Sequence, residues 1–192
     1  MSCYSADTIN KTGNTIIYLS ERIPNLSKTK LLKLLYLIEE YDIIKYNTPF
    51  LGFKFEVWKA GPVAKDIFVD LSDTPVLLKD FIHIKVVDGG TYIIPQREFD
   101  DSEFSDNDIE VMDYVIGKYG NKTAKQLVNI THKKGSAWSC LVEKHGLTES
   151  FKSGRKTCSD LEIDFTHYLG ECDAEKYLEN KEVRKAFELM KA

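Results

Sequence analysis

Apolar and polar positions divide the chain into helical and extended stretches. Ile9, Ile16 and Leu19 recur at near-helical spacing, which predicts a first helix in spite of Gly13 at its middle. Beyond Pro24, Ser27 supplies an acceptor for the free amides of a helix start, and Leu31, Leu34, Leu35, Ile38 and Tyr41 then share one face of a long helix. Residues 53–58 alternate strictly, with Phe53, Phe55 and Val57 on one side and Lys54, Glu56 and Trp58 on the other, which predicts a strand with one buried face. Gly61 permits a tight turn, and Pro62 suits the first position of a helix whose apolar face is Val63, Ile67, Phe68 and Leu71. Ile82, Ile84 and Val86 alternate with His83, Lys85 and Val87. Asp88, Gly89 and Gly90 then supply turn residues before Thr91 to Ile94, the pattern of a hairpin.

Helical signals dominate the second half. Ser105 with Asp108 reads as a capping box opening a helix that shows Ile109, Met112, Val115, Ile116 and Tyr119 and ends at Gly120. Thr123 with Gln126 is a second box, followed by Leu127 and Ile130, and Gly135 breaks that helix before Trp138 and Leu141. Residues 146–160 carry Gly146, Ser150, Ser153, Gly154 and Ser159 without periodicity and read as a loop or mobile segment. Tyr177, Val183, Phe187 and Met190 predict a closing helix. The expected fold is α+β, predominantly helical, with a small antiparallel sheet made by strand 53–58 and the hairpin 82–87 and 91–94. The expected organisation is a domain over residues 1–145, with residues 146–192 a loop and C-terminal helical extension packed on it. No internal repeat is visible.

Composition narrows the class. With 192 residues, 43% hydrophobic and 29% charged, the chain can bury about 70% of its surface and is neither collagen-like nor disordered. The formal net charge of −4 gives no global positive field for nucleic acid or an anionic membrane. Charge is nevertheless polarised along the sequence. Residues 96–116 hold eight acids and one base, whereas residues 118–156 hold nine bases against Glu143 and Glu149. Those lysines read either as solvated helix faces paired with the acidic band or as a surface for phosphate or an acidic partner. Residues 1–10 lack the basic and apolar regions of a secretory signal, and the longest apolar run in the helical stretch, Leu34 to Ile38, is far too short to span a bilayer. Cys3, Cys140, Cys158 and Cys172 form no CxxC pair, as expected of free thiols in a reducing cytosol, so the expected location is cytoplasmic.

Catalytic signatures are missing. The glycines form neither a P-loop nor a dinucleotide turn, and Gly-x-Ser-x-Gly and His-Glu-x-x-His do not occur, so no enzyme activity and no cofactor are expected. Cys140, His145, Cys158, His167 and Cys172 are zinc-ligand types at spacings that match no standard ligand set, and no metal is expected. Thr131 and His132 precede Trp138 by a short corner; a histidine there acts as a base or, without a nucleophile beside it in sequence, packs on the tryptophan to fix the corner. Trp58 is either exposed for a partner or covered by a helix.

Three stretches taken in order carry a resemblance: KTKLLKLLYLIEEY at 28–41, FKFEVWKAGPVAKDIFVDL at 53–71 and TAKQLVNITHKKGSAW at 123–138. Lys33, Leu34 and Tyr36, the aromatic strand entering Gly61-Pro62-Val63, and Thr131-His132 followed by Trp138 make the chain similar to the Panacea, or SocA-like, antitoxin domain over roughly residues 6–140. That resemblance implies a non-enzymatic bacterial antitoxin of the kind often carried by phage or mobile elements. Such a protein neutralises a cognate toxin by binding it, or delivers the toxin as an adaptor to a protease or its unfoldase. The expected contact residues are Lys54, Glu56, Trp58, Lys59, His132 and Trp138. The alternative from another class is a nucleic-acid-binding regulator using the basic segment 118–156, with the steep salt dependence that counterion release imposes.

Overall fold

The computed structural model describes residues 4–191; Cys3 lies outside that range. Its organising element is α2 (Lys28–Tyr46), capped by Ser27, whose hydroxyl accepts from the Lys30 amide. The sequence pattern predicts one buried face. In the structure Leu31 to Glu39 are buried without interruption, because α4 (Asp106–Tyr119), α5 (Ala124–Thr131) and the strands below pack around the helix, with α1 (Ala6–Arg22) lying against α4. The capping boxes at Ser105/Asp108 and Thr123/Gln126 both form and start α4 and α5 where the pattern places them. Gly13 is explained by packing: the Phe81 ring lies against α1 so closely that a Cβ there would sit 2.2 Å from it.

The fold is predominantly helical with small antiparallel sheets. There are two two-stranded sheets where a single three-stranded one is expected. β1 (Phe55–Trp58) pairs with β2 (Gly61–Ala64), in register from Phe55 opposite Ala64 to Trp58 opposite Gly61. The reason is local. Gly61 adopts φ +97°, closing a tight turn that brings the following residues back onto β1 before a helix can start. Pro62 therefore lies in a strand, and α3 (Lys65–Asp70) begins only after it, so Val63 belongs to β2 and not to the helix face. β3 (Ile82–Val87) and β4 (Gly90–Pro95) form the predicted hairpin, with Asp88 and Gly89 both at positive φ in its turn.

The stretch 146–160 also departs from expectation. α6 (Ala137–Lys144) is followed by a short α7 (Thr148–Lys152), and the chain then runs extended along the open edge of β1. The Val57 amide donates to the Leu161 carbonyl at 2.8 Å, Lys59 to Thr157 at 2.9 Å, and Ile163 to Phe55 at 2.7 Å. Residues that lack hydrophobic periodicity are thus ordered by backbone pairing to an edge strand, which periodicity cannot register. Phe165, in a 3₁₀ turn over Phe165–Tyr168, packs on Tyr36 and Phe55 in the core.

The closing helix, α8 (Glu171–Lys191), forms where predicted. Of the four residues whose spacing predicts it, Tyr177 is buried, while Val183, Phe187 and Met190 are 55%, 58% and 82% exposed. Polar groups hold the helix instead. Arg184 donates to the carbonyls of Pro49 and Phe50 at 2.8 and 2.9 Å, Asn180 donates to the Asn47 carbonyl, and Glu188 accepts from the Ser5 amide.

Candidate functional site

The residues that carry the sequence motifs converge on one corner. Lys33, on α2, is 1% exposed among leucines, and its Nζ donates to the Pro62 carbonyl at 2.6 Å. Burial lowers its pKa from 10.5 to about 7. Gly61 admits this arrangement, since a Cβ there would stand 2.7 Å from Thr131 Oγ1 and 3.1 Å from Lys33 Nζ. The buried lysine therefore pins the β1–β2 turn against the end of α5.

From Thr131 the chain turns through residues 132–136 into α6. Ser136 caps α6, and its hydroxyl donates to the Thr131 carbonyl at 2.9 Å. His132 stacks on Trp138 with ring centroids 3.7 Å apart and planes 3° from parallel. Trp138 Nε1 donates to the Trp58 carbonyl at 2.9 Å, tying the corner to the end of β1. His132 is pushed down to about 4 by burial and by the positive charge of Lys33, so the stacked imidazole is neutral near pH 7. Its Nε2 is buried without a hydrogen-bond partner. Of the two readings of His132, the packing one is what the geometry displays: the ring stacks on Trp138 and fixes the corner.

Two grooves flank the corner. The first, about 400 Å³, is floored by His132, Trp138, Val142 and Phe151 and edged by Lys59, Lys134, Glu143 and Lys152. The second, about 630 Å³, lies on the α2 side between Glu40, Lys118, Tyr119, Thr131, Ser136 and Tyr168. There the Tyr36 hydroxyl donates to Glu40 at 2.8 Å and stands 3.2 Å from the Tyr168 hydroxyl, and burial raises the pKa of Glu40. Lys134 borders both grooves.

Three of the six expected contact residues, Lys59, His132 and Trp138, thus meet at one groove. The other three do not. Lys54 and Glu56 border a separate depression with Tyr4 and Lys65, where Lys54 pairs with Glu162 at 3.6 Å and Glu56 with Lys65 at 3.7 Å. Trp58 is half-buried edge-on against Phe68, and its Nε1 donates to Glu56, so α3 covers it. Sequence reasoning missed the walls contributed by Val142, Phe151 and Lys152 and the Tyr168 hydroxyl, which accepts from the Ala137 amide. Those groups lie in the part of the chain with the weakest periodicity. Lys33 had a legible signal, a lone cation among six leucines and isoleucines that leave it no solvated face.

The basic segment does not pair with the acidic band. Among the described residues the acids of 96–116 meet partners from α1 and α2: Lys11 with Asp108 at 2.7 Å, Lys45 with Glu110, and the Tyr18 hydroxyl with Asp113. Segment 118–156 has one ion pair, Lys152 with Glu149, internal to itself. Cys140 Sγ lies 3.9 Å from His167 Nε2, and no group of three or more His, Cys, Asp or Glu able to hold a metal occurs among the described residues. Among the same residues no helix is long and apolar enough to cross a membrane.

The buried lysine, the glycine turn and the histidine–tryptophan corner form one connected unit of the helical domain, bordered by two grooves. The antitoxin SocA-like, Panacea domain matches residues 31–139, more than half of the chain, and the chain belongs to that family. No curated protein and no solved structure matches it.

Proposed function

We propose that the protein is a non-enzymatic antitoxin that neutralises a cognate toxin by binding it at the corner formed by residues 131–138. The observation that carries this reading is the convergence of Lys33, Gly61, Thr131, His132 and Trp138, scattered across the family-matched segment, on one rigid corner between two grooves. Buried polar groups near the core support a binding role, because their atoms are committed to structure. Lys33 serves the Pro62 carbonyl, Glu39 the amides of Leu51 and Gly52, and Asp70 those of Val76, Leu77 and Leu78. A second mode, delivery of the bound toxin to a protease, is favoured by α8, whose outward apolar residues offer an unfoldase a segment to engage.

The test is growth of a host expressing the product of the adjacent gene with and without this chain, followed by co-purification. Toxicity relieved with a stoichiometric complex is expected for direct neutralisation, and relief with loss of the toxin band for delivery. Rescue without either sinks the proposal. His132→Ala should weaken both rescue and complex; unchanged behaviour would place the contact surface elsewhere.

A further inference from the structure

We propose that the groove floored by Trp138, Val142 and Phe151 and edged by Lys59, Lys134 and Lys152 recognises an acidic segment of the partner carrying one large apolar side chain. The inference rests on the toxin-binding reading and adds the chemistry of what is bound. Charge complementarity selects the occupant. Lys59 and Lys134 are exposed and make no ion pair among the described residues, and Lys152 pairs only with its exposed neighbour Glu149. One acid, the exposed Glu143, lines the groove against these three lysines, and the acids of 96–116 that form ion pairs do so with Lys11 and Lys45. A rim of three lysines and one glutamate, net positive, around an apolar floor matches a carboxylate-rich chain that anchors one apolar residue.

Nucleic acid fits less well. Single strands are held by aromatic faces open to stacking, whereas Trp138 and Phe151 are 8% and 5% exposed and Trp138 already gives one face to His132. The floor offers a small apolar depression, not ring faces. The groove also draws its two walls from different parts of the chain. Lys59, Lys134 and Trp138 lie within the family-matched residues 31–139, while Val142, Phe151 and Lys152 lie beyond them. Partner choice is therefore set in part by the segment outside the match.

The test needs no toxin. Four labelled probes are titrated against the full chain: a short Asp/Glu peptide with one central Phe, the same peptide with Lys for its acids, the same acidic peptide with Ser for Phe, and a single-stranded oligo-dT of equal charge. The acidic Phe peptide should bind, lose affinity as salt rises, and bind about tenfold more weakly to the Lys59→Glu/Lys134→Glu double variant. Both lysines are solvent-exposed, so the variant's thermal melt should match that of the wild type. The Ser peptide should bind more weakly than the Phe peptide. Preference for the Lys peptide or oligo-dT, equal affinity for the double variant, or no binding of any probe overturns the assignment. If the double variant loses peptide binding yet still rescues growth, the groove is not the toxin site although neutralisation stands. If the adjacent gene product is harmless, the antitoxin reading fails while the peptide result keeps its meaning.

Discussion

Lys33 should make the protein more stable in mild alkali. Its pKa is about 7 in the folded chain against 10.5 unperturbed, so between those values the unfolded chain binds a proton that the native one has released. Stability then rises with pH across that window. From pH 7 to pH 9 the slope is about 1.4 kcal/mol per pH unit, less a small correction for the half-titrated start, which gives about 2 kcal/mol. Lys33→Met keeps the apolar stem and removes the charge, at the cost of leaving the Pro62 carbonyl without its donor, about 1–3 kcal/mol. Neighbouring groups do not confuse the comparison. His132, depressed to about 4, stays neutral throughout, and Asp42, raised to about 7 by burial and by Glu39, titrates alike in both proteins. Urea midpoints at pH 7, 8 and 9, under reductant and at constant ionic strength, should rise for the wild type relative to Lys33→Met. Parallel pH profiles for the two proteins would mean that the native ammonium keeps its proton, and the polar core described above would be wrong.

Two further outcomes follow from the same packing. Gly61→Ala combines a φ of +97° with a Cβ 2.7 Å from Thr131 Oγ1, and should cost about 2–4 kcal/mol, read as a drop in urea midpoint; a loss below about 0.5 kcal/mol would show that the turn is not tight. A chain cut after residue 145 loses Ile163, Phe165 and Tyr177 from the core and bares the β1 edge. It should be aggregated or unfolded by size-exclusion chromatography and circular dichroism, and a monomeric, cooperatively melting fragment would refute that dependence.

Much of this architecture was legible before any coordinates. Serine and threonine caps marked the starts of α2, α4 and α5, and Asp88-Gly89 marked the hairpin turn, because each signal is local and meets a specific backbone demand. Pairing beyond the neighbourhood was not legible. The edge of β1 is closed by residues about a hundred positions later, joined through backbone amides that any side chain could bear. For α8 the apolar pattern located the helix but not what holds it, since Arg184 and Asn180 reach main-chain carbonyls that hydrophobic spacing does not record. At the candidate site, the His132–Trp138 corner could be read from order and spacing. Of the lysine rim, Lys59 was expected as a contact residue, whereas Lys134 and Lys152 entered only as members of a charge count, because the rim draws on the β1–β2 turn, the α5–α6 corner and α7.

The pairing of β1 with residues 157–163 has a consequence for how the chain is made. Translation delivers Phe55 long before Ile163, and at cellular elongation rates the interval is roughly 5–20 s. Throughout it, the nascent protein displays an unpaired strand edge beside a core still waiting for Phe165, a surface open to chaperones and to other strands. Residues 157–165 thus complete a surface begun at β1, and the bare edge lasts at least as long as the ribosome takes to reach them.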